Sequence, residues 1–165
     1  MRIVPRISLI IPTRNESQTI CQCINNAWRV FEKAGLEGEI IVSDSSTDGT
    51  ADIASSCGAK VIFPQRLGYG TAYLLGFQEA RGDYIFLMDG DLTYEPEAIL
   101  DMLPCLVSGR YDMVIGSRLK GRIVSGAMPA LHRYLGNPLL TWILNRLFSA
   151  GITDAHCGLR GITRD

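Results

Sequence analysis

Cysteine is sparse and unpatterned in this chain. Cys21, Cys23, Cys57, Cys105 and Cys157 make an odd number with no Cys-x-x-Cys pair, which suits neither a disulfide framework nor a zinc site. Reduced thiols in a cytosolic compartment are the expected state, with Cys21 and Cys23 on different faces of a helix. No apolar run reaches the roughly 18 to 20 residues that a spanning helix needs. The start of the chain has Arg2 and Arg6 around a short apolar stretch that runs straight into a strand-like segment, which is not a signal peptide. Excess charge is missing too: 16 basic and 17 acidic side chains leave a net charge of -1, so no long-range field favours nucleic acid and any anion site must be local. Absence of Gly-x-Ser-x-Gly, P-loop and Gly-x-Gly-x-x-Gly motifs takes hydrolases, P-loop kinases and ordinary dinucleotide oxidoreductases out of the front rank.

What is present is a chain of 165 residues, 47% hydrophobic and 20% charged, enough for one domain with a real core. Ile7 to Ile11 is a nearly continuous apolar run stopped by Pro12, the pattern of a strand covered on both faces. The period then becomes helical through Ile20, Ile24, Ala27, Trp28 and Phe31, with Asn15 as the expected N-cap and Gln18 completing a capping box. Further strands are expected at Glu39–Ser43, Lys60–Phe63, Tyr84–Met88 and Asp112–Gly116. Helices are expected after the Asp44–Thr50 turn, over Gly68–Arg81 and along the Ala98–Val107 apolar face, with Pro96 in its first turn. Strands alternating with helices imply βαβ units and a mostly parallel sheet sandwiched by helices, with ligands at the carboxyl ends of the strands.

After Gly116 comes a basic stretch, Ser117 to Gly126, and then an apolar helical stretch from about Pro129 to Phe148 that Pro138 must kink or restart. Its apolar residues, Leu139 to Phe148, either pack on the sheet or rest at a membrane surface. Core packing is the expected default.

Polar residues fall at strand ends: Asn15 and Glu16, Asp44, Asp89 and Asp91, Arg118. Asp89-Gly-Asp91 leaves a buried strand with two carboxylates together, an oxygen donor set for Mg2+ or Mn2+ bridging to a diphosphate; the alternative is one helix cap and one solvated side chain. Asp44 either accepts hydrogen bonds from a nucleobase or ribose, or forms the turn. Gly68 and Gly70 permit backbone approach to a phosphate at a helix start and are also ordinary turn residues. Arg118, Lys120, Arg122 and Arg133 offer a second phosphate site or a solvated basic loop, and Arg133 and Asn137 are four apart, on one helix face. His132 and His156 lack metal-ligand spacing and read as structural or surface residues.

Taken together, Pro12-Thr-Arg-Asn-Glu16, Val42 to Thr50, Gly68-Tyr-Gly-Thr-Ala72, Arg81-Gly-Asp83 leading to Asp89-Gly-Asp91, Gly116-Ser-Arg118 and Asp154 to Arg160 resemble the GT-A glycosyltransferases of family 2. The likeness is strongest to the polyprenyl-phosphate branch that includes dolichol-phosphate mannose synthases. The resemblance covers nearly the whole chain as a single GT-A domain of Rossmann-like α/β fold. Residues 1–118 would be its nucleotide-sugar-binding half and 119–165 the start of an acceptor half, truncated at Asp165.

The resemblance implies a metal-dependent, inverting transfer of mannose or glucose from GDP-mannose or UDP-glucose to a polyprenyl phosphate at the cytoplasmic face of a membrane. Pro12, Thr13, Asn15, Glu16 and Asp44 would shape the nucleotide pocket, with Gly68 and Gly70 beside the diphosphate. Asp89 and Asp91 would hold the metal, Arg118 would act with them at the reacting centre, and Arg160 would belong to the block that closes over the donor. Arg118, Arg133 and Asn137 would receive the carrier's phosphate.

Two residues depart from the family pattern. Ser43-Asp44 stands where an Asp-Asp pair is usual, and Tyr69 sits between glycines where many relatives carry Lys or Arg, which shifts diphosphate contacts to Arg66, Arg118 or the metal. A saccharide- or lipid-elongating family 2 enzyme would need a base carboxylate, for which Asp154 is the candidate. A non-catalytic nucleotide-sugar-binding domain is a further alternative. A sugar nucleotidyltransferase would open with a glycine-rich loop that this chain lacks.

Overall fold

The computed structural model describes residues 6–117 and 136–164. Arg118, Lys120, Arg122, His132 and Arg133 lie outside them. Two compact units are present, Met1–Val114 with Gly161–Asp165, and Ile115–Arg160.

In the larger unit the apolar run after Arg6 becomes β1 (Arg6–Thr13). Ile7, Leu9, Ile10 and Ile11 are fully buried, so successive side chains are covered on both faces, as the unbroken run requires. β2 (Glu37–Asp44), β3 (Lys60–Ile62) and β4 (Tyr84–Leu87) complete the parallel part of the sheet. Ile10 stands opposite Ile41 on one side and Leu87 on the other. These three share one face with Ile85, Tyr73 and Ala80, and Phe77 packs against them; burying each large apolar side chain contributes roughly 1.5–3 kcal/mol.

The connecting helices are α1 (Ile20–Ala34), α2 (Thr50–Ser56), α3 (Tyr69–Glu79) and α4 (Ala98–Val107). α1 buries Ile20, Ile24, Ala27 and Phe31, the positions its helical period selects, and ends at Gly35 in the left-handed region (φ 63°). α4 runs through Pro104, which supplies no N–H to the helical ladder; burial of Ile99, Met102, Leu103 and Leu106 offsets that loss. Close packing also explains Arg81-Gly-Asp83: a Cβ on Gly82 would lie 2.5 Å from the Ser8 backbone nitrogen.

The sheet continues through β5 (Met113–Ile115) and β6 (Arg160–Thr163), giving the order β3-β2-β1-β4-β6-β5. The Thr163 N–H donates to the Asp112 carbonyl and the Gly116 N–H to that of Leu159. One number rises as the other falls, so β6 runs antiparallel to β5. β6 lies between β4 and β5, and the Arg164 N–H after its end donates to the Asp83 carbonyl before β4, so β6 is the reversed strand in a sheet that is otherwise mostly parallel, as expected.

In the smaller unit, α5 (Asn137–Phe148) starts with Pro138 in its first turn, a position that suits its ring; the stretch from Pro129 that it was expected to kink or restart lies outside the described residues. Core packing of this helix is not what is found. Its buried residues are Asn137 and Thr141, whereas Trp142 is 63% and Phe148 74% exposed. The buried side uses polar groups: the Thr141 hydroxyl accepts from the Ala155 N–H at 3.1 Å, and the Asn145 amide exchanges two hydrogen bonds with Ile152. Among the described residues no helix is long and apolar enough to cross a membrane.

The expectation of reduced thiols is corrected for one pair. Cys21 and Cys57, on α1 and at the end of α2, form a disulfide with Cα atoms 5.8 Å apart; Cys23, Cys105 and Cys157 are free. Sequence spacing gave no hint because the partners are 36 residues apart and meet only when the two helices pack. Cys21 and Cys23 do fall on different faces, the latter buried.

Candidate functional site

The carboxyl ends of β1, β2 and β4, with the start of α3, enclose a cleft of about 470 Å³. From the first strand come Pro12, Thr13, Arg14 and Glu16, and from the second Ser45. Gly68, Tyr69 and Ala72 form the helical wall, and Asp89, Gly90 and Asp91 follow the fourth strand. A crevice where parallel strands end is the position at which open α/β sheets bind ligands.

The first two strand-end loops form one wall. Asp44 is 3% exposed; its Oδ1 accepts from the Thr13 hydroxyl at 2.6 Å and the Ser46 hydroxyl at 2.5 Å, and its Oδ2 from the Ser46 N–H at 3.1 Å. Asp44 thus braces the wall from behind, and Ser45 lines the cleft. Asn15 is not the N-cap of α1, a position taken by Thr19. It lies in the left-handed region (φ 62°) and ties the loops together: its N–H donates to Ser46 Oγ at 2.8 Å and its Oδ1 accepts from the Thr47 N–H at 3.0 Å. Asn tolerates this backbone conformation better than most residues.

Asp48, which sequence reasoning did not single out, completes the tie. Its carboxylate accepts from the hydroxyl and N–H of Thr50 and from the Ser17 N–H at 3.2 Å. The Thr50 hydroxyl is the main cause that pulls its pKa down to about 2. An Asp/Ser/Thr-rich turn is the usual signal for such bonding, and nothing in that composition names the partner.

Asp89-Gly-Asp91 owes its arrangement to the central glycine. A Cβ on Gly90 would meet Thr13 at 3.2 Å and Ile11 at 3.3 Å, and the Gly90 carbonyl accepts from the Thr19 hydroxyl at 2.7 Å. With Gly90 pressed against β1 and α1, the carboxylates on either side belong to the cleft lining. Asp91 is exposed, and its Oδ1 accepts from the Thr93 N–H at 2.9 Å. Asp89 Oδ1 accepts from the Tyr69 hydroxyl. Two carboxylates give an all-oxygen donor set that fits a hard divalent cation. Among the described residues no group of three or more His, Cys, Asp or Glu could hold a metal, so a cation here would draw further oxygens from a bound diphosphate and water. Beneath the loop, burial chiefly pushes the Cys23 thiol pKa up, and the charges of Asp91 and Glu16 add to that; a hydrogen bond from the Leu92 backbone opposes them.

Gly68 opens α3 with φ 145°, a conformation side chains rarely adopt, and its carbonyl accepts the Ala72 N–H at 3.0 Å. Gly70 and Arg66 do not line the cleft, whereas Arg14 does; Arg14 sat unremarked inside the Pro12–Glu16 block. Ser43 is fully buried with its hydroxyl unpartnered, so it does not stand in for a second carboxylate beside Asp44. In the smaller unit Asn137 is 7% exposed, and the Arg160 guanidinium donates to the carbonyls of Cys157 at 2.9 Å and Ala155 at 3.3 Å. Arg118 and Arg133 lie outside the described residues.

Comparison with known proteins gives a consistent picture. A model of glycosyl transferase family 2 matches residues 8–165. The low-salt glycan biosynthesis hexosyltransferase Agl6 of Haloferax volcanii is 48% identical over 163 residues, covering 99% of this chain and 40% of the relative. An undecaprenyl-phosphate 4-deoxy-4-formamido-L-arabinose transferase of Pectobacterium atrosepticum is 27% identical, covering 98% and 50%. Glucosyl-3-phosphoglycerate synthase of Mycobacterium tuberculosis, crystallised with Mn2+, UDP-glucose and glycerol 3-phosphate, superposes with TM-score 0.76 at 25% identity, covering 97% of this chain and 57% of that one. The chain spans about half the length or less of these curated relatives.

Proposed function

The chain belongs to glycosyl transferase family 2, and on that premise we propose that it binds a nucleoside diphosphate hexose and serves an inverting transfer of the hexose to a polyprenyl phosphate. The observation that carries this reading is the cleft itself, where Asp89 and Asp91 face Pro12, Thr13, Glu16 and Ser45 across one crevice. The nucleoside lies against the β1–β2 wall that Asp44, Asn15 and Asp48 hold together. The diphosphate lies between Gly68 at the start of α3 and the two aspartates. Mg2+ or Mn2+ bound there supplies charge neutralisation for the leaving diphosphate. A structural neighbour crystallised with Mn2+ and UDP-glucose supports a divalent cation, and either UDP-glucose or GDP-mannose suits the cleft's chemistry.

The acceptor reading rests on chemistry as well as resemblance. A phosphate monoester is ionised near neutral pH, so attack on the anomeric carbon needs positioning and charge stabilisation more than a base. Asp154, the candidate base for a hydroxyl acceptor, is 1% exposed and its Oδ1 accepts from the His156 N–H at 3.1 Å, which favours the phosphate. We assign receipt of that phosphate to Arg118, Arg133 and Asn137, and closure over the donor to the block containing Arg160. A lipid acceptor implies work at a membrane surface, which the exposed apolar residues of α5, Trp142 and Phe148 among them, suit. The cytoplasmic face rests on the resemblance alone, since the cysteine argument for it is gone.

The test is transfer of labelled hexose from UDP-glucose or GDP-mannose, with Mn2+, to polyprenyl phosphate in liposomes. A lipid-extractable product that mild acid hydrolyses is expected for a glycosyl phosphate. Label appearing only in an acid-stable glycoside would move the acceptor to a hydroxyl, and tight donor binding without any transfer would leave a binding domain.

A further inference from the structure

The loop that carries Asp91 is held from the start of α1 by two contacts, one on each side of that residue. Before it, the buried Gly90 carbonyl accepts from the Thr19 hydroxyl at 2.7 Å, across 71 residues of sequence. After it, a hydrogen bond from the Leu92 backbone reaches the Cys23 thiol. Thr19 and Cys23 are four apart, on one helix face, and the Cys23 N–H donates to the Thr19 carbonyl at 3.0 Å.

Thr19 stands at the N-cap of α1, where a threonine hydroxyl usually accepts from a free N–H of the first turn. Here its side chain makes no such bond. The hydroxyl has one proton to give, and its shortest acceptor is the Gly90 carbonyl; the Glu16 carboxylate and carbonyl lie farther off, at 3.2 and 3.4 Å. The side chain is therefore turned away from its own helix and onto the loop after β4. That loop contains a strained residue. Leu92, directly after Asp91, lies in the left-handed region (φ 64°), which a side chain disfavours. The same turn brings the Thr93 N–H onto Asp91 Oδ1 at 2.9 Å, so the place of the carboxylate depends on Leu92 keeping that conformation. Asp91 and Leu92 are both exposed, and strain in an exposed turn persists only where the surroundings hold it.

We infer that Thr19 is a positioning residue for the cation site: by holding the Gly90 carbonyl, its hydroxyl keeps the strained Gly90–Leu92 turn in the form that sets the Asp91 carboxylate in the cleft. The inference rests on the proposed role of Asp91 in holding a divalent cation against the donor diphosphate.

The experiment titrates Mn2+ into the protein in the presence of UDP-glucose or GDP-mannose and follows free Mn2+ by its electron paramagnetic resonance signal, a readout independent of turnover. Thr19→Val keeps the branched shape and loses the hydroxyl; its Mn2+ Kd is expected to rise about three- to tenfold. Thr19→Ser keeps the hydroxyl and loses the methyl group, and is expected to bind Mn2+ within about twofold of the parent. A packing role for Thr19 would reverse that order, because valine fills the same space and serine does not. Asp91→Ala is titrated alongside them. If the parent binds no Mn2+ with either donor, or Asp91→Ala binds as the parent does, the metal reading fails and takes this inference with it. If Asp91→Ala loses Mn2+ while Thr19→Val stays within about threefold of the parent, or Thr19→Ser loses as much as Thr19→Val, only this inference fails. A thermal midpoint lowered by more than about 10 °C in Thr19→Val would make the hydroxyl a bond that the fold itself needs, and would overturn it too.

Discussion

Substituting Cys57 by serine opens the bond to Cys21 and returns to the unfolded chain the freedom that a cross-link across 36 residues removes. In the chain-entropy treatment, closing a loop of that size is worth about 3.8 kcal/mol at 25 °C. Both cysteines are only partly buried, so Cys57→Ser leaves no large cavity and the entropic figure should dominate. For a chain of this length 1 kcal/mol corresponds to about 2–4 °C in thermal midpoint. A drop of about 8–15 °C is therefore expected for Cys57→Ser, and a drop of the same size for the parent protein after reduction. Thiol titration gives an independent check: denatured, unreduced protein should react at Cys23, Cys105 and Cys157 only, and reduced protein at all 5 cysteines. A midpoint change corresponding to less than about 1 kcal/mol, or full reaction without reductant, would refute the reasoning.

Other residues give sharper local tests. Gly82→Ala should destabilise the fold by about 1–3 kcal/mol in urea denaturation, because the added Cβ meets the Ser8 backbone nitrogen at 2.5 Å and backbone cannot rotate away. Ser43→Ala should be neutral or stabilise by up to about 1 kcal/mol, since the lost hydroxyl has no partner; a clear loss of stability would mean that hydroxyl is bonded. Asp48 has its folded pKa below the ordinary 3.8, at about 2, so its contribution is fully present above about pH 4 and is lost as pH falls from there toward 2. Stability measured across that window should fall less steeply in Asp48→Asn than in the parent, and identical slopes would remove Asp48 from the loop tie.

The sheet and its helices were legible because local signals and tertiary demand agree. Ile7–Ile11 reads as a doubly covered strand and is one, and Pro138 takes the first turn of α5, a place its ring geometry suits. Boundaries moved by a residue or two, as at Glu37–Asp44. The misreadings share a cause: each depended on what packs opposite. Asn15 had the composition of a cap, but the Ser46–Thr47 loop beside it offered better partners for its amide and N–H. Leu139 to Phe148 looked like core, and nothing local to that run records whether an opposing surface exists. Cys21 and Cys57 carry no spacing signal because their meeting is a consequence of α1 packing on α2. At the cleft, Asp89 and Asp91 were visible from their place after a buried strand, whereas Asp48 takes its position partly from the neighbouring loop, through the Ser17 N–H.

The most direct measurement is calorimetric titration of the protein with UDP-glucose and with GDP-mannose, each in Mn2+ and in chelator, repeated on Asp91→Ala. Binding of one donor that needs Mn2+ and is lost or weakened at least tenfold in Asp91→Ala is the result expected of a nucleotide-sugar cleft built on Asp89 and Asp91. Binding of neither donor, or binding indifferent to both Mn2+ and Asp91, would contradict it.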